Sequence, residues 1–157
     1  QATLKGMDGR AMGALEVVQG EGKEVVVRFE GRNLPAGDHA IHFHETGLCE
    51  GPTFKSAGDH WRPANWDEGG ADKGIDPGHL GTVSADDKGN AVATFTNAYA
   101  SLKKDAPNTL FDDDGVSVVI HAKPDKNAAQ PGGEAGDRLA CAVIEPQGMA
   151  PREAPKN

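Results

Sequence analysis

The feature that most constrains the fold is a series of short runs rich in β-branched and aliphatic residues, each ended by Gly, Asn, Asp or Pro. Such runs are typical of β-strands, because branched side chains pack well on a pleated surface and the ending residues favour turns. Helical periodicity is weak throughout. We predict strands at 11–18, 23–30, 40–44, 91–96, 116–121 and 139–144. Several short strands at intervals favour a β-sandwich or β-barrel.

Composition fits this architecture and excludes other classes of protein. The chain has 157 residues, which suggests one domain, and its 21 glycines and 10 prolines are many for a helical bundle. A formal net charge of −8 with no basic run argues against nucleic-acid binding. No apolar run is long enough for a membrane-spanning helix. The chain opens on Gln1 without a positively charged leader, as expected of a mature exported protein or of a trimmed chain.

Two irregular segments and a tail interrupt the strand pattern. Residues 45–82 contain both tryptophans and two histidines, His60 and His79, and a loop of this length in a compact domain is usually functional or disordered. Its aromatic and histidine content favours function. A second irregular segment, 123–137, is rich in Pro and Gly. Residues 146–157 combine prolines with charges, which predicts a flexible tail after a domain that spans 1–145.

Histidines are the residues that most suggest chemistry. His42 and His44 are two positions apart in a predicted strand and therefore share one face, with Ile41 and Phe43 on the core side. Two imidazoles on one face can converge on a metal ion. Taken alone, the pair is more often two solvent-exposed polar residues on a half-buried strand.

Two further histidines strengthen the metal interpretation. His121 ends the hydrophobic run 116–121, where it is either structural or a ligand from a second strand. His60 lies in the long loop between Gly and Pro residues that can fix a bend. Four imidazoles from two strands and a loop suit Cu(II) better than Mg²⁺ or Ca²⁺, although Zn²⁺ would also accept them.

The two cysteines, Cys49 and Cys141, do not form a CxxC pair. A bridge between them would tie the long loop to the last predicted strand and stabilise the fold by about 4–5 kcal/mol in the chain-entropy description. Two buried free thiols are the alternative. A bridge, together with the missing leader, favours an oxidising compartment.

Five segments follow the order found in copper–zinc superoxide dismutases, and the chain resembles that family. They are GDHAIHFHETG (37–47), SAGDHWRP (56–63), GHLG (78–81), VVIHAKPD (118–125) and GDRLACAVI (136–144). Each is weak alone, but together they are specific and span nearly the whole chain before the tail. The resemblance implies an eight-stranded Greek-key β-barrel with two long functional loops. It also implies copper-dependent dismutation of superoxide to oxygen and hydrogen peroxide.

The resemblance further implies roles for individual residues. His42, His44 and His121 match copper ligands, and His60 matches the ligand that bridges copper and zinc. Arg138 matches the arginine that guides superoxide to the copper, so we expect His60 and Arg138 to act in catalysis.

Other positions match supporting residues of the family. Cys49 and Cys141 match its disulfide cysteines. Asp125 matches the carboxylate that links a copper histidine to a zinc histidine. His39 matches a histidine that is not a ligand, so we expect it to be structural.

The zinc side departs from the family, whose ligands are the bridging histidine, two further histidines and an aspartate. Glu68 is the nearest residue to the second histidine position. In the register set by GHLG, His79 is the third histidine and Thr82 replaces the aspartate. A second register gives the donors His60, Glu68, Asp76 and His79. We favour the first register and a copper-only protein, in which Glu68 accepts a hydrogen bond from a site histidine in place of zinc.

The segment 121–138 is also shorter than the electrostatic loop of the family, as it is in copper-only relatives. The net charge of −8 opposes the capture of an anion, so Arg138 must provide a favourable local field.

The alternatives to an enzyme are a copper store or carrier, and an interaction domain with a vestigial site. The four copper-ligand positions and Arg138 favour the enzyme. We expect it in the periplasm, the cell envelope or the extracellular medium, and no surface for oligomerisation is readable.

Overall fold

The strands form a single antiparallel sheet that curves into a nearly closed barrel. A computed structural model describes residues 2–66, 76–124 and 137–145. The strands are β1 Ala2–Gly6, β2 Ala11–Gln19, β3 Val25–Gly31, β4 Gly37–His44, β5 His79–Ala85, β6 Ala91–Asn97, β7 Val116–His121 and β8 Arg138–Ile144. A short 3₁₀ turn covers Lys55–Ala57. Within these ranges, no helix is long and apolar enough to cross a membrane.

The strand order is β5-β4-β7-β8-β1-β2-β3-β6, so the sheet ends on β5 and β6. These two strands pack against each other and bring the ends of the sheet together. Gly81 on β5 makes this approach possible, because a Cβ there would lie 2.6 Å from the ring of Phe95 on β6. The ring of Phe95 therefore covers the seam between β5 and β6.

Alternating side chains fill the barrel. On β3, Val25, Val27 and Phe29 are buried, whereas the residues between them are more exposed. This is the period of a strand with one face on a core. Burying each such side chain contributes about 1.5–3 kcal/mol. Trp61, from the long loop after β4, is also buried and packs edge-on against Phe43, with ring centroids 6.1 Å apart. The loop is thereby anchored in the core.

The six strands predicted from the residue pattern are present, with small differences in their bounds. The eight-stranded barrel implied by the resemblance is confirmed. The residue pattern did not predict two of the eight strands. β1 is short and contains few branched residues, and β5 begins at His79, inside the segment that was predicted to be irregular.

The disulfide between Cys49 and Cys141 is confirmed. The two Cα atoms are 5.6 Å apart and the residues are separated by 92 positions. Around the bridge, Phe54, Ala57 and Val119 form a small second core outside the barrel. The loop after β4 is therefore fixed to β7 and β8 by a covalent link and by apolar packing. The boundary between the domain and the tail at residue 146 stays a prediction, since 146–157 lie outside the described residues.

Candidate metal centre

Four buried histidines converge on the outer face of the barrel. His42 and His44 come from β4, His121 ends β7, and His60 comes from the loop between β4 and β5. One side-chain nitrogen from each lies within 4.8 Å of those of the other three. The structure therefore brings together all four residues that were predicted to bind copper.

This convergence is explained by the pairing of two strands and by backbone pairing between the end of β4 and the loop that follows it. β4 and β7 pair so that His42 lies opposite Val119 and His44 opposite Ser117. Beyond the end of β4, His44 forms a bridge with His60, and the Glu45 N–H donates to the Asp59 carbonyl oxygen at 2.8 Å. The loop is thus folded back along β4, which places His60 beside the strand histidines.

This loop also changes the environment expected for the pair on β4. His42 and His44 point away from the barrel core, as predicted, but neither side chain faces solvent. Both are 0% exposed. The strand pattern alone gave no sign of a covering layer, because the layer comes from a distant irregular segment.

The nitrogens are arranged as metal ligands require. His44 Nδ1 donates to the Gly58 carbonyl oxygen at 2.9 Å, which leaves Nε2 available. That Nε2 lies 3.3 Å from His121 Nε2. Burial lowers the pKa of His44 to about 2, so its imidazole is neutral near pH 7. Neutral imidazole is the form that binds a metal ion.

The cluster has the size of a transition-metal site. Imidazole nitrogens bind zinc at about 2.0–2.1 Å, so ligands on opposite sides of such an ion are about 4.1 Å apart. Four nitrogens within 4.8 Å of one another fit a single ion of this size after small side-chain movements. Among divalent ions, an all-imidazole set suits copper or zinc.

His60 has a carboxylate partner on its outer nitrogen. Its Nδ1 lies 2.7 Å from Asp76 Oδ2, and both side chains are buried. The ring of His60 stacks on that of His42 with centroids 3.9 Å apart. The position of the ring is therefore set from two sides.

The remaining residues of the predicted zinc side are placed as follows. His79 begins β5 opposite His42, and their ring centroids are 5.6 Å apart. Thr82 is exposed on β5. Asp76 therefore contacts a histidine of the cluster, and the choice between the two registers stays a prediction. Glu68, which we expected to bind a site histidine, and Asp125 lie outside the described residues.

Arg138 lies beside the cluster. It is the first residue of β8 and pairs with His121 across an irregularity in the ladder. Its Nη1 donates to the Phe54 carbonyl oxygen at 2.8 Å. Burial lowers the pKa of Arg138, and the charge of Asp59 acts in the opposite direction. The residue expected to attract superoxide is thus held by the disulfide-linked loop.

His39 has contacts that suit the structural role expected for it. The side chain is buried, with Nδ1 3.0 Å from the His121 carbonyl oxygen and Nε2 2.6 Å from the Pro35 carbonyl oxygen. It therefore connects the backbone of one cluster histidine to the segment before β4.

Sequence reasoning missed the backbone acceptors of the site. The carbonyl groups of Gly58 and Phe54 orient His44 and Arg138, but carbonyl groups carry no residue-specific signal. For Asp76, the sequence Asp76-Pro77-Gly78 is typical of a turn.

Comparison with known proteins identifies relatives over almost the whole chain. Residues 11–144 match the family described as copper/zinc superoxide dismutase (SODC). The chain is 40% identical over 147 residues to a Cu-Zn superoxide dismutase of Caulobacter vibrioides, covering 92% of this chain and 84% of the relative. It is 36% identical over 146 residues to Cu-Zn superoxide dismutase 1 of Aquifex aeolicus, covering 92% and 86%.

A solved structure agrees with the fold. It is a double mutant of a SOD-like protein from Bacillus subtilis, in which a tyrosine and a proline are replaced by histidine. The TM-score is 0.82 at 28% identity, and the match covers 91% of this chain and 95% of that chain.

Proposed function

The chain belongs to the copper/zinc superoxide dismutase family, and from this premise we propose that it dismutates superoxide at a copper ion held by four histidines. The ligands are His42, His44, His60 and His121. The observation that carries the proposal is the convergence of four buried imidazole nitrogens within 4.8 Å. Arg138 lies beside them as a cation for an anionic substrate.

Each residue has a role in the reaction, which converts two superoxide ions and two protons into oxygen and hydrogen peroxide. Copper, when bound, supplies one-electron oxidation and reduction. Arg138 binds and orients superoxide with a guanidinium already aligned by its hydrogen bond to Phe54. His60 keeps Nδ1 on Asp76 and directs Nε2 toward the cluster as the fourth ligand nitrogen, and the two protons of the reaction come from solvent.

The proposal is tested by loading the metal-free protein with copper and following the decay of superoxide after pulse radiolysis. We expect rapid decay that is first order in superoxide and proportional to the protein concentration, and that persists when a chelator such as EDTA removes free copper. A protein that stores or carries copper would show only the activity of leached copper, which the chelator abolishes. That result would overturn the enzymatic proposal in favour of the carrier.

We further propose that the protein works in the periplasm, the cell envelope or the extracellular medium. The disulfide between Cys49 and Cys141 supports this location, because such bonds persist in oxidising compartments. Alkylation of thiols in rapidly quenched cell fractions tests it. Both cysteines should be blocked as a disulfide in the exported fraction, and a reduced form in the cytosol as the main species would contradict the proposal.

A further inference from the structure

We propose that Asp76 takes the place of a second metal ion by holding His60 directly, so that the chain binds copper alone. This inference rests on the proposed copper site and concerns the opposite side of His60. Asp76 is a positioning residue in this proposal, because it acts through His60 and not on superoxide.

The contact between Asp76 and His60 is close and protected from water. Asp76 Oδ2 lies 2.7 Å from His60 Nδ1, with side chains only 1% and 5% exposed. The other oxygen, Oδ1, accepts a hydrogen bond from the Gly78 N–H at 3.1 Å. The His79 N–H donates to the Asp76 carbonyl oxygen at 3.1 Å. The carboxylate is therefore fixed by its own turn and has a hydrogen bond on each oxygen.

The spacing is that of a hydrogen bond and not of two ligands on one zinc ion. Tetrahedral ligands at about 2.0–2.2 Å from zinc are about 3.4 Å apart. A charge-assisted hydrogen bond between nitrogen and oxygen is about 2.7–2.9 Å long. The 2.7 Å between His60 Nδ1 and Asp76 Oδ2 is therefore a direct hydrogen bond between the two side chains, and an ion could bind both atoms only after this bond breaks. In the described part of the zinc side, the outer nitrogen of His60 is thus already engaged by a buried carboxylate.

A carboxylate in this position can orient the ring of the histidine, as a second metal ion would. By accepting from Nδ1, Asp76 fixes the tautomer and the ring orientation of His60 and leaves Nε2 as the ligand nitrogen. The stacking on His42 supports the ring from the side. The chain thereby retains an oriented fourth ligand without a zinc ion.

Metal analysis tests the stoichiometry. Metal-free protein is saturated with copper, dialysed against excess zinc and then against buffer, and both metals are counted per chain. We expect one copper and no stoichiometric zinc. One equivalent of zinc retained by the copper-loaded protein would overturn the proposal.

Variants of Asp76 test its positioning role. Asp76→Ala and Asp76→Asn should weaken copper binding by about 10–100-fold, the usual effect of removing the partner of a ligand histidine. Asp86→Asn is the matched control, because Asp86 Oδ1 accepts from the N–H two residues ahead in the same way but has no histidine partner. Its affinity for copper should equal that of the wild type. If Asp76→Ala fails to fold, Asp76→Asn, which keeps the shape of the side chain, decides the question.

Nitrogen NMR of the metal-free protein measures the tautomer of His60, which a change in the overall stability of the fold does not alter. In the wild type, the proton of His60 should reside on Nδ1, and in Asp76→Ala it should be distributed over both nitrogens. An unchanged tautomer together with unchanged copper affinity would overturn the role of Asp76. None of these measurements uses superoxide. Asp76-dependent copper binding without dismutation would therefore defeat only the proposed function.

Discussion

Single residues set the charge around the proposed copper ligands. Arg138 is a cation fixed beside the four histidines, and its charge helps to keep the pKa of His44 low. Because His44 is buried, the larger part of the lowering comes from the loss of solvation. The site therefore combines a neutral His44 with the positive charge of Arg138.

The role of Arg138 leads to a kinetic prediction. Arg138→Ala should lower the second-order rate constant for superoxide by about tenfold or more at low salt, because local positive charge accelerates the capture of anions. Copper content should not change. Arg138→Lys should be intermediate, since lysine keeps the charge but loses the planar fork. Pulse radiolysis over a range of ionic strength measures the effect.

Arg28→Ala is the control, because Arg28 is exposed and pairs with Glu16 on the neighbouring strand. It should leave the rate constant nearly unchanged. Equal rate constants for Arg138→Ala and the wild type at low salt would contradict a role for Arg138 in capture.

The pKa of His44 predicts how the stability of the metal-free protein depends on pH. In the unfolded chain His44 has its ordinary pKa of 6.5, whereas in the folded protein the pKa is about 2. Between these values the unfolded state binds more protons. The contribution of His44 to stability is therefore present above pH 6.5 and is lost as the pH falls, at up to about 1.4 kcal/mol per pH unit.

Urea unfolding at several pH values measures this effect. His44→Gln should show a smaller loss of stability than the wild type between pH 6.5 and pH 5. Above pH 7.5 the two proteins should have the same slope. Parallel curves at all pH values would contradict the assignment to His44.

At the scale of elements, the site depends on one irregular segment more than on any strand. The loop after β4 supplies His60, the carbonyl group that orients His44 and the carbonyl group that holds Arg138. Its described residues contain one short 3₁₀ turn, Lys55–Ala57, as regular structure. The disulfide and the ladder with the end of β4 are therefore what give these groups fixed positions.

Removal of the disulfide should thus affect both stability and the site. Cys49→Ala combined with Cys141→Ala should reduce the free energy of unfolding by about 2–5 kcal/mol. The rate constant of the copper-loaded protein should fall as well, because Phe54 then holds Arg138 less firmly. Calorimetry and pulse radiolysis measure the two effects. A loss of stability with the full rate constant retained would show that the packing of Phe54 and Ala57 suffices to hold the loop.

Asn97 is the corresponding support on the other side of the site. At the end of β6, its Nδ2 donates to the Pro77 carbonyl oxygen at 2.8 Å, and its Oδ1 accepts from the N–H groups of Tyr99 and Ala100. The side chain is buried. Asn97→Ala should destabilise the protein by about 1–3 kcal/mol, because buried backbone groups lose their partners.

Urea unfolding of the metal-free protein gives the size of this effect. Asn108→Ala is the control, since Asn108 makes one exposed hydrogen bond to the Tyr99 carbonyl oxygen. An equal, small effect of both substitutions would contradict the assignment of a special role to Asn97.

The sequence allowed prediction where the signal is local. Period-two runs such as those in β3 and β7 predict strands, and the pair His42 and His44 shares a face because of that same period. The pairing of Asp76 with His60 was not predictable from local pattern, because the two residues are 16 positions apart in a segment whose sequence shows no strand or helix periodicity. The burial of the histidine face was missed for the same reason. Both depend on how a loop folds back, which local periodicity does not specify.

At the scale of the whole molecule, the net charge of −8 and the positive site oppose each other. Superoxide meets an acidic surface at long range and a cation only near the copper. Salt screens charges over about 8 Å at physiological ionic strength. The reaction therefore depends on the field within a few residues of Arg138, and less on the total charge.

The seam between β5 and β6 gives the barrel a preferred line of opening. Every other pair of neighbouring strands is joined by a ladder, whereas in the described residues this pair meets through packing such as that of Phe95 on Gly81. Amide hydrogens along the free edges of β5 and β6 should therefore exchange with solvent deuterium faster than those of β7 and β8. Exchange followed by NMR measures this order, and equal protection of all four strands would contradict it. Because β5 begins at His79, next to the turn that carries Asp76, we expect opening along this seam to loosen the partner of His60 before it loosens the disulfide on β8.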